Sequence, residues 1–208
     1  MLRDIIKRII DIILTIFAII MFAPVMLITA ILIKMDSSGP VFYKQVRIGQ
    51  NGKPFKLWKF RTMVNNAHLK GHLITSNHDS RITRIGGFIR SVKFDELPNL
   101  FNIISGDMSI VGPRPEVPEY VNRYDERMEE IFKVKPGLTG PAQLVFFNEE
   151  KLINKDNVRM IYPKIKKKKL ELDAMYAKSY NPLLDIQLIA KTVIKLLQPQ
   201  DDGMPDRI

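Results

Sequence analysis

From Ile12 to Ile33 the chain reads IILTIFAIIMFAPVMLITAILI, 22 consecutive positions without a charged residue. At about 1.5 Å per residue in a helix, such a run matches a hydrocarbon layer of roughly 30 Å. A soluble core helix seldom needs so long an uncharged stretch. A cleaved signal peptide would have a shorter apolar region and small residues at its end, whereas Ala30-Ile31-Leu32 is a poor cleavage context. The reading is therefore a membrane-inserted helix over residues 1–34. Pro24 lies near its middle and removes one backbone hydrogen bond, so a kink is expected at Ala23-Pro24. Two topologies follow from that kink, a straight span or a broken, re-entrant helix that enters and leaves by one face. Arg3, Lys7 and Arg8 precede the run and Lys34 follows it, and basic flanks at both ends favour re-entry.

Outward from this segment, the 175 residues after Ile33 hold no second membrane-length run, which excludes a polytopic transporter. The whole chain of 208 residues fits about one domain. Its 46% hydrophobic content is enough to bury a core, and the absence of cysteine excludes a disulfide framework, a zinc ribbon and a thiol nucleophile. Residues 35–198 form the expected soluble part, and 199–208 read as a flexible tail.

Val41 to Arg47 and Phe55 to Arg61 read as two strands joined by the turn-rich Gly49-Gln50-Asn51-Gly52, an antiparallel hairpin. Period-two alternation places Lys59 and Arg61 on one face and Trp58 and Phe60 on the other. Leu97, Leu100, Phe101 and Ile104 form an amphipathic stripe over Glu96 to Ile104, with Asp95 at the N-cap. Glu116 to Lys135 and Leu183 to Leu197 are further helices, the last able to lie on a membrane surface or on the core. The fold class is thus α+β, mostly α: a membrane helix, a compact domain with a small antiparallel sheet, and interfacial amphipathic helices. Lys164 to Lys169 has five lysines in six residues, in the first instance a solvated face and otherwise a patch for anionic lipid. His68 and His72 are four apart, but Gly71 between them and the spacing of His78 argue against a metal site.

Charge is segregated along the chain. Residues 1–33 carry +1, residues 34–114 carry +8 from 13 basic and 5 acidic side chains, and residues 115–208 carry +1. The basic segment interleaves Lys59, Arg61, Arg81, Arg84, Arg90, Lys93 and Arg114 with glycines at 86, 87, 106 and 112. Arginine forks and permissive backbone suit a polyphosphate. Nucleic acid is the rival ligand, but the segment has no reading helix or zinc finger and directly follows the apolar run. The only adjacent carboxylates within it are Asp95-Glu96. They read either as a helix cap and dipole partner or as groups for chemistry on phosphate.

Taken in order, Lys59-Phe60-Arg61-Thr62-Met63, Thr83-Arg84-Ile85-Gly86 with Ile89-Arg90, Asp95-Glu96-Leu97-Pro98-Asn99-Leu100, Gly106-Asp107-Met108-Ser109-Ile110-Val111-Gly112-Pro113-Arg114-Pro115-Glu116 and Pro136-Gly137-Leu138-Thr139-Gly140 resemble the bacterial sugar transferase family, the small monotopic phosphoglycosyl transferases that initiate glycan assembly. The resemblance covers almost the whole chain, with Tyr180-Asn181 and Asp185 near its end. It implies transfer of a phosphosugar from a UDP-sugar to undecaprenyl phosphate, release of UMP, a requirement for Mg2+, and a place at the cytoplasmic face of the bacterial inner membrane among its lipids. It also implies Asp95 as nucleophile, Glu96 as its magnesium-associated partner, and Lys59, Arg90 and Arg114 as cations that hold phosphate; Arg61 and Arg84 join them from the basic segment. Two departures stand out: family members commonly carry Ser-Pro where this chain has Ala23-Pro24, and leucine where it has Pro141. A non-catalytic basic membrane scaffold of the same pathway is the alternative reading. No motif selects the sugar, whether N-acetylated hexosamine, glucose or galactose, and none sets an oligomeric state.

Overall fold

The computed structural model describes residues 2–65, 67, 79–121, 125–147 and 158–198. His68, His72 and His78, and the tail 199–208, lie outside the described residues. Helix α1 runs over Leu2–Asp36 and continues through Pro24, the position of the expected kink. The reason is tertiary packing on both sides of the proline. Asp11, Thr15, Met26, Thr29 and Ile33 are buried at helical spacing along one face. Ala18 and Ile19 pack on one core cluster, and Phe22 and Ala30 on another. These contacts offset the single hydrogen bond that proline removes. The opposite face keeps Ile13, Phe17, Ile20, Leu27 and Ile31 exposed.

The expected hairpin is present as β1 (Phe42–Ile48) and β2 (Pro54–Phe60), paired antiparallel with Phe42 opposite Phe60 and Ile48 opposite Pro54. Its turn holds Asn51 and Gly52 at positive φ, the conformation asparagine and glycine tolerate best. Trp58 and Phe60 both contact the Phe42 ring, at centroid distances of 5.7 and 5.3 Å, while Lys59 and Arg61 leave on the other side of the strand. Helix α2 (Arg84–Ser91) is capped by the Thr83 hydroxyl, which accepts from the Gly86 amide. A side chain at Gly86 would place its Cβ 2.1 Å from the Thr62 carbonyl oxygen, so glycine is what allows α2 to lie against the end of β2.

Helix α3 spans Asn99–Ser105, and the region before it corrects two expectations. Asp95 does not cap the helix. It sits inside a 3-10 turn, Phe94–Glu96, that follows Lys93 in the left-handed region, and α3 begins only after Pro98. The buried face of α3 is Asn99, Leu100, Asn102 and Ile103, whereas Phe101 and Ile104 of the expected stripe are exposed. Asn102 turns inward because its side chain completes the edge of β2: it accepts from the Trp58 amide at 3.0 Å and donates to the Lys56 carbonyl at 2.8 Å.

A second pair of strands, unannounced by the sequence, joins β3 (Ser109–Val111) in parallel to β4 (Gly137–Thr139). Three residues each are too few to show a period. The long helix expected over Glu116 to Lys135 is instead a 3-10 turn at Pro118–Tyr120 and a short α4 (Glu126–Ile131) capped by Asp125. Short α5 (Pro141–Val145) follows β4, and α6 (Val158–Ser179) and α7 (Pro182–Leu197) complete the fold. The lysine run lies on α6. Lys164, Lys167 and Lys168 are exposed, but Lys166 donates to the Tyr120 carbonyl and Lys169 lies 5.8 Å from the centre of the Phe146 ring.

Helix α7 is tied to α1 by a buried polar cluster. Lys7 donates to Asp185 at 2.7 Å and to the Val111 carbonyl at 2.9 Å, and the Tyr176 hydroxyl donates to Asp185 at 2.6 Å. Beside it, Tyr180 hydrogen-bonds Asp4, and the Arg3 guanidinium lies over the Tyr180 ring. Asp11 accepts from the Ile110 amide, which fixes α1 to β3 as well.

Candidate active site

The 3-10 turn before α3 presents Asp95 and Glu96 toward β2. Lys59 Nζ lies 2.8 Å from Glu96 Oε1 and 3.7 Å from the Asp95 carboxylate, and Arg114 Nη2 lies 2.7 Å from the same Glu96 Oε1. Glu96 thus takes two cations on one oxygen. Among the described residues no group hydrogen-bonds the Asp95 carboxylate, as expected of a side chain released from capping.

The two carboxyls are driven in opposite directions. Burial raises Asp95 above the ordinary carboxylate value of 3.8, and the nearby Glu96 charge adds to that; the attraction of Lys59, Arg90 and Lys93 works against it and loses. Burial also acts on Glu96, but Arg114 and Lys59, through charge and hydrogen bonds, override it and hold this carboxyl well below its usual range. Glu96 is a fixed anion, and Asp95 is the more basic of the two.

The pair lies in a cleft of about 1420 Å³. Lys59, Arg90, Lys93 and Arg114 line its charged part, while Phe17, Met21 and Phe22 of α1 and Val193 and Leu196 of α7 line an apolar part. The Arg90 Nη1 atom is buried with no hydrogen-bond partner, a donor set for an oxygen the protein itself does not supply. Of the other expected phosphate ligands, Arg61 lines the cleft; its Nη1 and Nη2 donate to the carbonyls of Ser38 and Ser37 just after α1, and its Nε is buried without a hydrogen-bond partner. Arg84 is exposed at the start of α2 and does not line the cleft.

Two further groups in the cleft wall were not singled out from the sequence. Arg47, at the end of β1, is lowered by burial and by the like charge of Arg114 to about 10, so it stays protonated at neutrality. Asp173 on α6 is buried, and its Oδ1 has no hydrogen-bond partner. Burial raises its carboxyl to about 7, against the pull of Lys169 and of the Arg114 and Ala142 amides. Neither residue could be read locally, because each owes its place to a loop distant in sequence.

A carboxylate pair in a cation-lined cleft, with an apolar helix as one wall, defines a site suited to anionic ligands beside an apolar surface. Consistent with such a site, residues 2–199 match the bacterial sugar transferase family, and the chain belongs to it. It is 37% identical over 195 residues to the UDP-N-acetylgalactosamine-undecaprenyl-phosphate N-acetylgalactosaminephosphotransferase of Aeromonas hydrophila, an alignment that covers 92% of this chain and 44% of that protein. It is 38% identical over 193 residues to the uncharacterized sugar transferase EpsL of Bacillus subtilis, covering 93% of this chain and 88% of the other. A UDP-glucose:undecaprenyl-phosphate glucose-1-phosphate transferase of Klebsiella pneumoniae is 36% identical over 192 residues, covering 91% and 39%. The chain therefore spans less than half the length of the Aeromonas and Klebsiella relatives.

Proposed function

We propose that the protein is a sugar-phosphate transferase that moves a phosphosugar from a UDP-sugar to undecaprenyl phosphate through a covalent aspartyl intermediate. The observation that carries this reading is the division of labour in the pair: Glu96 takes hydrogen bonds from Lys59 and Arg114, and the desolvated Asp95 carboxylate takes none from a described residue, with Lys59 at 3.7 Å. In the first half-reaction an Asp95 oxygen attacks the sugar-bearing phosphorus. The bond from that phosphorus to the bridging oxygen breaks, and UMP leaves with the bridging oxygen and its electron pair. In the second, an oxygen of the lipid phosphate attacks the same phosphorus and the Asp95 carboxylate departs unchanged. Lys59, Arg90 and Arg114 provide the positive field without which an anion could not approach a diphosphate.

The residues fit Mg2+, which binds one or two carboxylates together with substrate phosphates. Lys59 and Arg114 both engage Oε1 of Glu96, which leaves Oε2 and the Asp95 carboxylate as hard oxygen donors. When bound, Mg2+ would neutralise charge on the phosphoryl oxygens.

Monotopic attachment is supported by the two ends of α1. Arg3 and Lys7 meet Tyr180 and Asp185, and Asp36 accepts from the Ile85 amide, so both ends rest on one domain. In its most apolar 18-residue window the helix is only 17% buried within the molecule, which leaves its outer face for lipid.

The test supplies purified full-length protein with Mg2+, a panel of UDP-sugars and labelled undecaprenyl phosphate. With the lipid omitted, mass spectrometry is expected to find a phosphosugar on Asp95, and Asp95→Asn is expected to release UMP at less than about a thousandth of the parent rate. Unchanged turnover in Asp95→Asn, or product with Asp95 unmodified, would overturn the reading.

A further inference from the structure

Arg47 is used by none of the roles above. Its Nη1 donates to the Pro115 carbonyl at 2.9 Å, and its Nε and Nη2 donate to the Gln45 side-chain oxygen at 3.2 and 2.8 Å. A guanidinium carries five N–H donors. Three are engaged here, all on neutral oxygens, and among the described residues no carboxylate lies within ion-pair distance of the group. Glu96 and Glu116 are close enough to favour its charge, but Arg114 opposes it. A cation held in a cleft wall with only neutral acceptors and a second cation beside it is unfavourable by itself. That cost has a use if an anion arrives.

The arrangement around the pair shows where. Arg90 and Lys93 act on Asp95, whereas Arg114 acts on Glu96 and is already bonded to it. Arg47 lines the cleft beside Glu96 and Arg114, and since Glu96 is hydrogen-bonded by Lys59 and Arg114, Arg47 stands on that side with no described carboxylate within ion-pair distance. It is also held in place at both ends of the loop's approach, since the next residue, Ile48, donates its amide to the Glu116 carbonyl at 2.9 Å.

We propose that Arg47 is a phosphate-binding residue of the cleft, whose remaining N–H groups take oxygens of a ligand phosphate on the Glu96 side of the carboxylate pair. The proposal rests on the reading of the site as a phosphosugar transferase. Two phosphates visit such a site, that of the nucleotide and that of the lipid acceptor, and they present the same oxygens to a guanidinium.

The experiment uses the full chain in lipid nanodiscs, with Arg47→Gln and Arg47→Lys. UDP is titrated by calorimetry in the presence of Mg2+, and KM is measured separately for the UDP-sugar and for undecaprenyl phosphate. In Arg47→Gln one of these is expected to weaken about tenfold to hundredfold, with a smaller change in kcat and an unaltered Tm. Arg47→Lys keeps the charge without the fork and is expected to recover part of the loss. Weaker UDP binding together with a raised UDP-sugar KM assigns the nucleotide's phosphate; a raised lipid KM alone assigns the acceptor's. If Arg47 only straps the loop at Pro115, Tm and kcat fall while UDP affinity and both KM values hold, and the proposal is overturned. It is also overturned if all constants are unchanged. Failure of the transferase reading has a different signature, no UMP release by the parent protein. In that event UDP and undecaprenyl phosphate are both titrated as ligands, and equal affinity of parent and Arg47→Gln for both refutes the role of Arg47.

Discussion

Burial raises Asp95, whereas Arg114 and then Lys59 outweigh burial at Glu96, and this difference separates two carboxyls of similar intrinsic acidity; Lys59 reaches Glu96 at 2.8 Å but Asp95 only at 3.7 Å. In the proposed mechanism Asp95 must be ionised to attack, so the rate falls as pH drops through its pKa, which burial has raised above 3.8. The acid limb of the pH profile of kcat/KM is thus expected above the ordinary aspartate range; a limb at or below 3.8 would contradict the assignment. Asp173 affects stability rather than rate. Its folded value of about 7 lies above its unfolded 3.8, so the folded state holds the proton more tightly between these values. Its contribution is fully present below about pH 3.8 and is lost as pH rises through about 7. Thermal unfolding of Asp173→Asn across this window is expected to show a flatter dependence of Tm on pH than the parent, by a difference on the order of a few kcal/mol at pH 7. At this scale the sequence served the motif residues well: Asp95, Glu96, Lys59, Arg90 and Arg114 were all legible and all meet in one cleft. Arg84 was equally cationic in the string, but it is exposed on α2 away from the cleft, while Arg61 lines the cleft with its Nη1 and Nη2 tied to the carbonyls after α1.

The elements owe their placement to a few buried polar contacts. The ion pair of Lys7 with Asp185 joins α1 to α7, with side chains only 12% and 6% exposed. Removing one partner strands the other charge, so Asp185→Ala is expected to cost about 3–5 kcal/mol in chemical denaturation. The double change Lys7→Met with Asp185→Leu, which removes both charges, is expected to cost less than the single one, and the reverse order would show that the pair contributes more than its own compensation. The hairpin and α7 could be read from alternation and helical spacing. The β3–β4 pair could not, because its evidence is the close approach of two glycines: a Cβ on Gly137 would lie 2.0 Å from the Gly112 amide. The inward turn of Asn102 was equally hidden, since a polar residue becomes a buried one only when the edge of β2 is there to receive it.

For the molecule as a whole, α1 is both the apolar surface and part of the core. Met26 and Ile33 pack with Phe60 and Ile89, and Ala18 and Ile19 with Leu57 and Ile103. Deletion of residues 2–36 is therefore expected to yield an aggregating chain, not a soluble domain, by size-exclusion chromatography and circular dichroism. A monodisperse, folded 37–208 fragment would show that the helix is only an anchor. The sequence by itself determined that a membrane-length apolar helix precedes a basic domain, that a hairpin follows, and that an Asp-Glu pair lies within a strongly basic segment, because hydropathy, alternation and contiguous motifs are local properties of a chain. Only the tertiary structure decided that the helix continues through Pro24 against the domain, which cations reach the pair, and that Asp95 is left unbonded. Those outcomes depend on contacts between residues tens of positions apart, and packing there outweighs what each segment prefers alone.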